Sequence, residues 1–285
     1  MRGQFADPNV WQEISRTAHR HCYDSYLAAT LAQRNRRQDL IVLAAFSGEI
    51  QRIVRTVGEP VIAAIRLQWW REALDLARTS QTGHRMADAL RDMIACNRLP
   101  TGLFIGHIDA QEFELQSRLA PTLDDLKVLF MKRDGGLFQL AVLLTCPDGP
   151  PINADVISRS AYVYGLARTL CEFSRRCLGR QLLLPADLTD AYGLTNSGNV
   201  DQMWRQGRQL INAVTDDLDA ELISLRADWR GLPPCVRSAL LPVGLAPLYL
   251  DVAKRQLNAA KPSDMIPTEL ARAWRLLLVF WSGRL

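Results

Sequence analysis

A chain of 285 residues, 48% hydrophobic and 22% charged, has the composition of a globular protein able to bury a sizeable core. Its 34 basic residues against 30 acidic leave a net charge of +4, too balanced to imply a nucleic-acid partner. The longest apolar stretches, such as Leu276–Trp281, fall far short of the roughly 20 residues that span a bilayer, and Met1-Arg2-Gly3-Gln4 begins no apolar signal segment.

Helical periodicity runs through nearly the whole chain. Val10, Ile14, Ala18, Cys22, Tyr26 and Ala29 recur at three- to four-residue steps, as do Leu40, Leu43, Ala44, Phe46, Ile50 and Val54. Pro and Gly clusters punctuate the pattern, for example at Gly58-Glu59-Pro60 and Gly231-Leu232-Pro233-Pro234. The spacing predicts helices over 8–32, 36–57, 60–79, 84–97, 101–118, 122–145, 152–179, 199–228, 233–257 and 267–282. Between the seventh and eighth, Arg180 to Gly198 reads as a long crossing loop. No linker or repeat divides the chain, so one all-α domain over 1–285 is expected.

Several residues invite a functional reading and receive a simpler one. Asp124 and Asp125 follow Pro121-Thr122 and suit a capped helix start. Asp216, Asp217 and Asp219 fit a solvated helix face, because adjacent helical residues diverge by about 100°. His19 and His21 point to nearly opposite faces and cannot chelate together, while His84 and His107 have no visible partner. The cysteines at 22, 96, 146, 171, 177 and 235 form no CxxC or zinc spacing, which predicts reduced, mostly buried thiols and a cytoplasmic protein. No phosphate-cradling Gly loop and no nucleophile elbow is present. In the last helix Ala271, Trp274, Leu277, Leu278 and Trp281 share a face, and Leu276, Val279 and Phe280 cover much of the rest. Such a helix is buried or touches a membrane; packing onto the domain is the expectation. Arg272, Arg275 and Arg284 make peripheral contact with an inner membrane the alternative.

An ordered set of segments resembles the squalene/phytoene synthase family. It comprises Leu43–Glu49 through Arg55, Ile65-Arg66-Leu67-Gln68-Trp69-Trp70-Arg71-Glu72, Ile108–Leu115, Tyr164–Leu170, Leu184-Pro185-Ala186-Asp187-Leu188, and Leu245–Leu250 with the tryptophan-bearing final helix. The resemblance implies the isoprenoid synthase fold, with helices 36–57 and 152–179 facing each other across a central cavity. Family chemistry needs carboxylates three or four residues apart on a helix, holding magnesium against a diphosphate. Set against that pattern, the first acidic site falls on Gln51, Arg52 and Arg55, and the second on Glu172 and Arg176. A guanidinium in place of a carboxylate removes a metal ligand and adds repulsion on the order of 4 kcal/mol per close pair at an effective dielectric near 20.

This combination resembles the branch that contains the mitochondrial complex I assembly factor and its alphaproteobacterial relatives. That resemblance implies a non-catalytic role in building the respiratory NADH dehydrogenase, with no metal cofactor and with complex I subunits as partners. Two alternatives stand beside it. One is magnesium-dependent, head-to-head condensation of prenyl diphosphates. The other is an anionic lipid or prenyl-diphosphate binding module using Arg52, Arg55, Glu172 and Arg176. At each position a plainer pairing competes: Arg52 with Glu49, Arg55 with Glu59, and Glu172 with Arg168, Arg175 or Arg176.

Overall fold

The computed structural model describes residues 8–56, 59–75, 81–116, 120–149, 153–173, 184–194, 200–258 and 265–285. In chain order the helices are α1 (Pro8–His21), α2 (Tyr23–Leu31), α3 (Arg37–Thr56), α4 (Pro60–Asp75), α5 (Arg85–Asn97), α6 (Thr101–Leu115), α7 (Leu123–Phe130), α8 (Gly136–Thr145), α9 (Ala154–Cys171), α10 (Ala186–Ala191), α11 (Val200–Trp229), α12 (Pro234–Ala239), α13 (Ala246–Asn258) and α14 (Glu269–Ser282). A π-helical turn, Met131–Gly135, lies between α7 and α8, and a 3-10 turn, Leu241–Leu245, leads into α13. No strand occurs among the described residues, as the helical periodicity requires.

The chain forms two compact units. The first comprises Met1–Gln116, Gly136–Pro150 and Pro234–Leu240; the second comprises Ser117–Gly135, Pro151–Pro233 and Leu241–Leu285.

In the first unit α3 is the central element. Every residue from Asp39 to Gly48 is buried, along with Ile50, Gln51 and Ile53. Helices α1, α2, α4, α5, α6 and α8 all pack on it. The aromatic core forms around Phe46, whose ring lies 5.6 Å from Trp70, 5.4 Å from Phe104 and 5.7 Å from His107. Trp70 is buried and Trp69 exposed, in keeping with the offset of about 100° between helical neighbours. Arg71 of α4 clasps α6 by donating to Asp109 (2.7 and 3.0 Å) and to Glu112, joining two of the segments singled out in the sequence.

The predicted helix 8–32 breaks at Cys22, whose φ of −140° and ψ of 54° leave the helical well. The break lets α1 and α2 each lie along α3. A Cβ added at Gly48 would stand 3.1 Å from the His21 Cβ and 3.2 Å from the Thr17 carbonyl oxygen. A residue without a side chain is therefore what lets α1 approach this closely.

The cysteine expectation needs correction. Cys146 at the end of α8 and Cys235 in α12 are disulfide-bonded across 89 residues of sequence. Cys22 and Cys171 are buried free thiols, and Cys96 is a free, exposed one. The pair lacks any short spacing motif because the fold, not the local sequence, brings α12 against α8. The bridge removes reduced thiols as an argument for a cytoplasmic location.

In the second unit α9 is the buried helix, with α7, α11, α13 and the π and 3-10 turns packed on it. Three sequence expectations change here. The predicted helix 122–145 is interrupted by the π turn, whose wider coil lets the adjacent Arg133 and Asp134 both face inward. The predicted helix 233–257 is divided by the 3-10 turn, where Pro242 supplies no N–H to an α-helical ladder. The expected loop Arg180 to Gly198 contains α10, which follows Pro185 as its N-terminal cap residue and is tied by the Ala186 and Asp187 N–H groups to the carbonyls of Ala120 and Pro121. Thr122 caps α7 with a reciprocal Asp125 capping box, as expected for that acidic pair. Asp217 and Asp219 do more than meet solvent: Asp217 accepts from Tyr162 Oη at 2.7 Å, and Asp219 pairs with Lys254 at 2.9 Å.

Two outcomes follow from this packing. Gly48→Leu forces α1 off α3 and lowers stability by about 1–3 kcal/mol, read as a fall in Tm with far-UV helicity retained at low temperature. Cys235→Ser removes a cross-link that closes a long loop and costs about 2–4 kcal/mol. Wild-type protein in reducing agent then melts with the variant, and the variant itself is insensitive to reductant.

Candidate functional site

After the buried stretch Asp39–Gly48, helix α3 becomes partly exposed again in its last two turns, where Gln51, Arg52 and Arg55 lie. Gln51 is buried, and its side-chain amide donates to Ser47 Oγ at 3.0 Å. Arg52 makes a fork onto Glu49, with Nε 2.7 Å and Nη2 2.5 Å from the two carboxylate oxygens. That hydrogen-bonded pairing raises the Arg52 pKa. It is the i,i+3 pair that the spacing allowed. Arg55 stands exposed in the final turn.

The end of α1 joins this group. His21 faces α3 at Gly48, within electrostatic reach of Arg20, Arg52, Arg55 and Glu49. Burial lowers its pKa first, and the surrounding arginines lower it further against the opposing pull of Glu49. His21 is therefore a neutral imidazole at pH 7, set among guanidinium groups. Beside it, a groove of about 470 Å³ runs along the polar face of α1, carrying Arg16, Arg20 and His21 with Arg85 from α5. Glu13 is the one acid among its lining residues.

The donor set at 51, 52 and 55 does not fit magnesium. An amide and two guanidinium groups offer it no anionic oxygen, and the nearby carboxylate of Glu49 is already held by Arg52. No cluster of three or more His, Cys, Asp or Glu residues suited to a metal is found among the described residues. The arrangement suits an anion instead, because guanidinium forks recognise phosphate directly.

In the second unit Glu172 is the C-terminal cap residue of α9, its backbone N–H donating to the Arg168 and Leu170 carbonyls. Arg168, one partner foreseen for it, reaches Asp134 Oδ1 at 3.3 Å and lies over the Tyr164 ring. Arg176 lies outside the described residues, as does the stretch 174–183. Sequence reading passed over the ionic group beside this helix. Asp134, nearly fully buried, accepts from Arg133 Nε at 2.8 Å and also meets Arg168. Arg133 is itself buried, with its guanidinium 4.7 Å from the centre of the Phe130 ring. A Cβ at Gly165 would lie 2.9 Å from Asp134 Oδ2, so a glycine on α9 makes room for the carboxylate. The signal was present as Lys132-Arg133-Asp134 within an otherwise apolar run. Only the π turn reveals that two of the three point inward.

The histidines also find roles that the sequence concealed. His84 caps α5, its Nδ1 accepting from the Ala87 N–H at 3.3 Å. His107 is buried against Phe46, and His19 stacks edge-on with Tyr23 and Tyr26.

The squalene/phytoene synthase family profile matches residues 18–272. The chain belongs to that family. Two solved structures share its fold. The squalene synthase HpnC from Alicyclobacillus acidocaldarius is 18% identical, covers 90% of this chain and 96% of its own, and superposes with a TM-score of 0.71. A dehydrosqualene synthase in complex with ligand is 13% identical, covers 98% and 100%, and has a TM-score of 0.73. A comparison with curated protein sequences returns no match. At such identities the likeness carries the all-α isoprenoid synthase fold; the chemistry of this member rests on its own side chains.

The charge arrangement around His21 gives a direct test. Its imidazole titrates below the ordinary 6.5 in an NMR pH series, and Arg52→Ala raises the midpoint by removing a cation and releasing Glu49. The sign for stability follows. A histidine whose folded pKa is depressed gives a contribution that is complete above about 6.5. That contribution is lost as pH falls through the folded value. Melts from pH 7.5 to 5 therefore show a smaller acid loss in His21→Gln than in wild type.

Proposed function

We propose that this chain is a non-catalytic member of the squalene/phytoene synthase family that serves the assembly of respiratory complex I. The observation supporting the loss of catalysis is the side-chain chemistry of α3, where Gln51, Arg52 and Arg55 stand and Arg52 is committed to Glu49. Prenyl-diphosphate ionisation requires a cation cluster held by carboxylates. Guanidinium groups can hold the diphosphate but supply no ligands for that cluster. The assembly role comes from the sequence resemblance, in which Ile65–Glu72 and Leu184–Leu188 are kept while the acidic pairs are not.

The basic end of α3 favours a second property of the same protein. Arg52 and Arg55, with Arg20 and neutral His21 nearby, suit the head group of an anionic amphiphile, a prenyl diphosphate or a lipid phosphate, bound without metal. The competing reading is an active synthase, as the names of the two solved relatives describe those proteins.

Purified protein incubated with farnesyl or geranylgeranyl diphosphate releases no diphosphate above background, with or without magnesium. Sustained magnesium-dependent release would instead establish the synthase reading. Tagged protein retains NADH dehydrogenase subunits from its own cell extract if the assembly role holds, and their absence counts against that role.

A further inference from the structure

Helix α14 is turned the opposite way from an ordinary surface helix. Leu276 and Val279 are its buried residues, and Val279 seats against Gly244 of the 3-10 turn. At about 100° per residue, Leu270, Trp274, Leu278 and Trp281 follow one line along the outer side. They are 80%, 59%, 42% and 71% exposed. Phe280 flanks that line and is also exposed, and Met265 and Ile266 extend the apolar surface ahead of Thr268, which caps the helix. The polar residues of α14 lie at the margins or inward. Arg275 is half-buried, with Nε donating to the Gly244 carbonyl at 2.9 Å. Large apolar groups left in water along a whole helix mark a surface that something covers.

What covers it can be argued from charge and chemistry. Arg226 of α11 is exposed and lies within electrostatic reach of Arg275, with Asp251 the acid that acts on the same group. Arg284 stands exposed just past the helix. The exposed acids here are Glu269, beside Leu270, and Asp251, so with Arg226, Arg275 and Arg284 the stripe is bordered by cations in excess of acids. A second copy of this surface would bring those cations against their own kind. A protein partner would have to match an outer line whose only polar atoms are two indole N–H groups, whereas protein interfaces carry about one hydrogen bond per 100–200 Å². Two tryptophans amid aliphatic side chains, rimmed by arginine, match the interfacial layer of a bilayer containing anionic lipid.

We propose that the outward face of α14 is a membrane-docking surface: Leu270, Trp274, Leu278 and Trp281 enter the headgroup–acyl boundary of an anionic leaflet, and Arg226 and Arg284 meet its phosphates. The helix lies in the membrane plane. No helix among the described residues is long and apolar enough to cross a membrane, so this contact is peripheral.

The test uses the full chain with sucrose-loaded vesicles of phosphatidylcholine alone or of 70:30 phosphatidylcholine and phosphatidylglycerol. The protein sediments with the mixed vesicles, with a blue shift in tryptophan emission, and about tenfold less with the neutral ones. Trp274→Ser with Trp281→Ser lowers mixed-vesicle binding about tenfold or more, while far-UV CD and Tm stay at wild-type values because both rings already face solvent. Arg226→Gln with Arg284→Gln removes the preference for the anionic vesicles without affecting the fold. The proposal is overturned if neither vesicle sediments the protein, or if the tryptophan variant binds as wild type does. It is equally overturned if sedimentation equilibrium shows a wild-type dimer that the tryptophan variant cannot form, which would make the stripe an interface between copies.

Discussion

Helix α3 has no solvent face from Asp39 to Gly48, and much of the first unit is arranged around that constraint. A helix buried on all sides must be apolar or have its polar groups met by neighbours. The sequence complies: Asp39 receives the Asn97 amide at 3.4 Å, and the rest to Phe46 is aliphatic or aromatic. The constraint also limits residue size. Gly48 is a point where α1 comes close, and the Cys22 break is what lets a second helix follow the same surface. After Asp39, the charged residues of α3 stand where it becomes exposed again, Glu49, Arg52 and Arg55 towards its C-terminal end.

The same location fixes the meaning of those arginines. Were they scattered on an open surface, ion pairs such as Glu49–Arg52 would contribute little, about 0–1 kcal/mol. Here Glu49 is largely covered, and α1 adds Arg20 and His21 to the same neighbourhood. Burial first, and then the surplus of nearby arginines over Glu49, lowers the His21 pKa. In the second unit the arrangement differs. Asp134 sits between Arg133 and Arg168 in a dry setting, where a lone carboxylate would be costly and a paired one is held. In the first unit Arg20, Arg52 and Arg55 stand near solvent, while Asp134 of the second is paired in the interior.

The outward stripe of α14 adds a second consideration to any account of this protein as an assembly factor. Under the proposed assembly role the protein has to reach the membrane, and the proposed docking face of α14 is a way to do so. The docking surface and the basic end of α3 nevertheless stand on separate observations. One is an exposure pattern and the other a cluster of paired charges, so loss of either leaves the other intact.

Much of the architecture was legible in the sequence, because helical periodicity and Pro/Gly punctuation are local properties. The helix boundaries of α3, α5, α6 and α11 fall within a few residues of the predicted ones. The family was legible too, since it lies in an ordered series of short segments. The identities at 51, 52 and 55 are read directly from the sequence, and none of the three is a carboxylate. What remained hidden depends on contacts between distant residues. Cys146 and Cys235 pair across 89 positions only because α12 meets α8. His21 joins the arginines of α3 only because Gly48 admits α1, and the Lys-Arg-Asp run becomes a buried ion network only through a π turn. The final helix is the sharpest case. Its sequence is apolar nearly all round, so periodicity could not choose which side faces inward. The 3-10 turn made that choice, its Gly244 accepting Val279 and leaving both tryptophans outside.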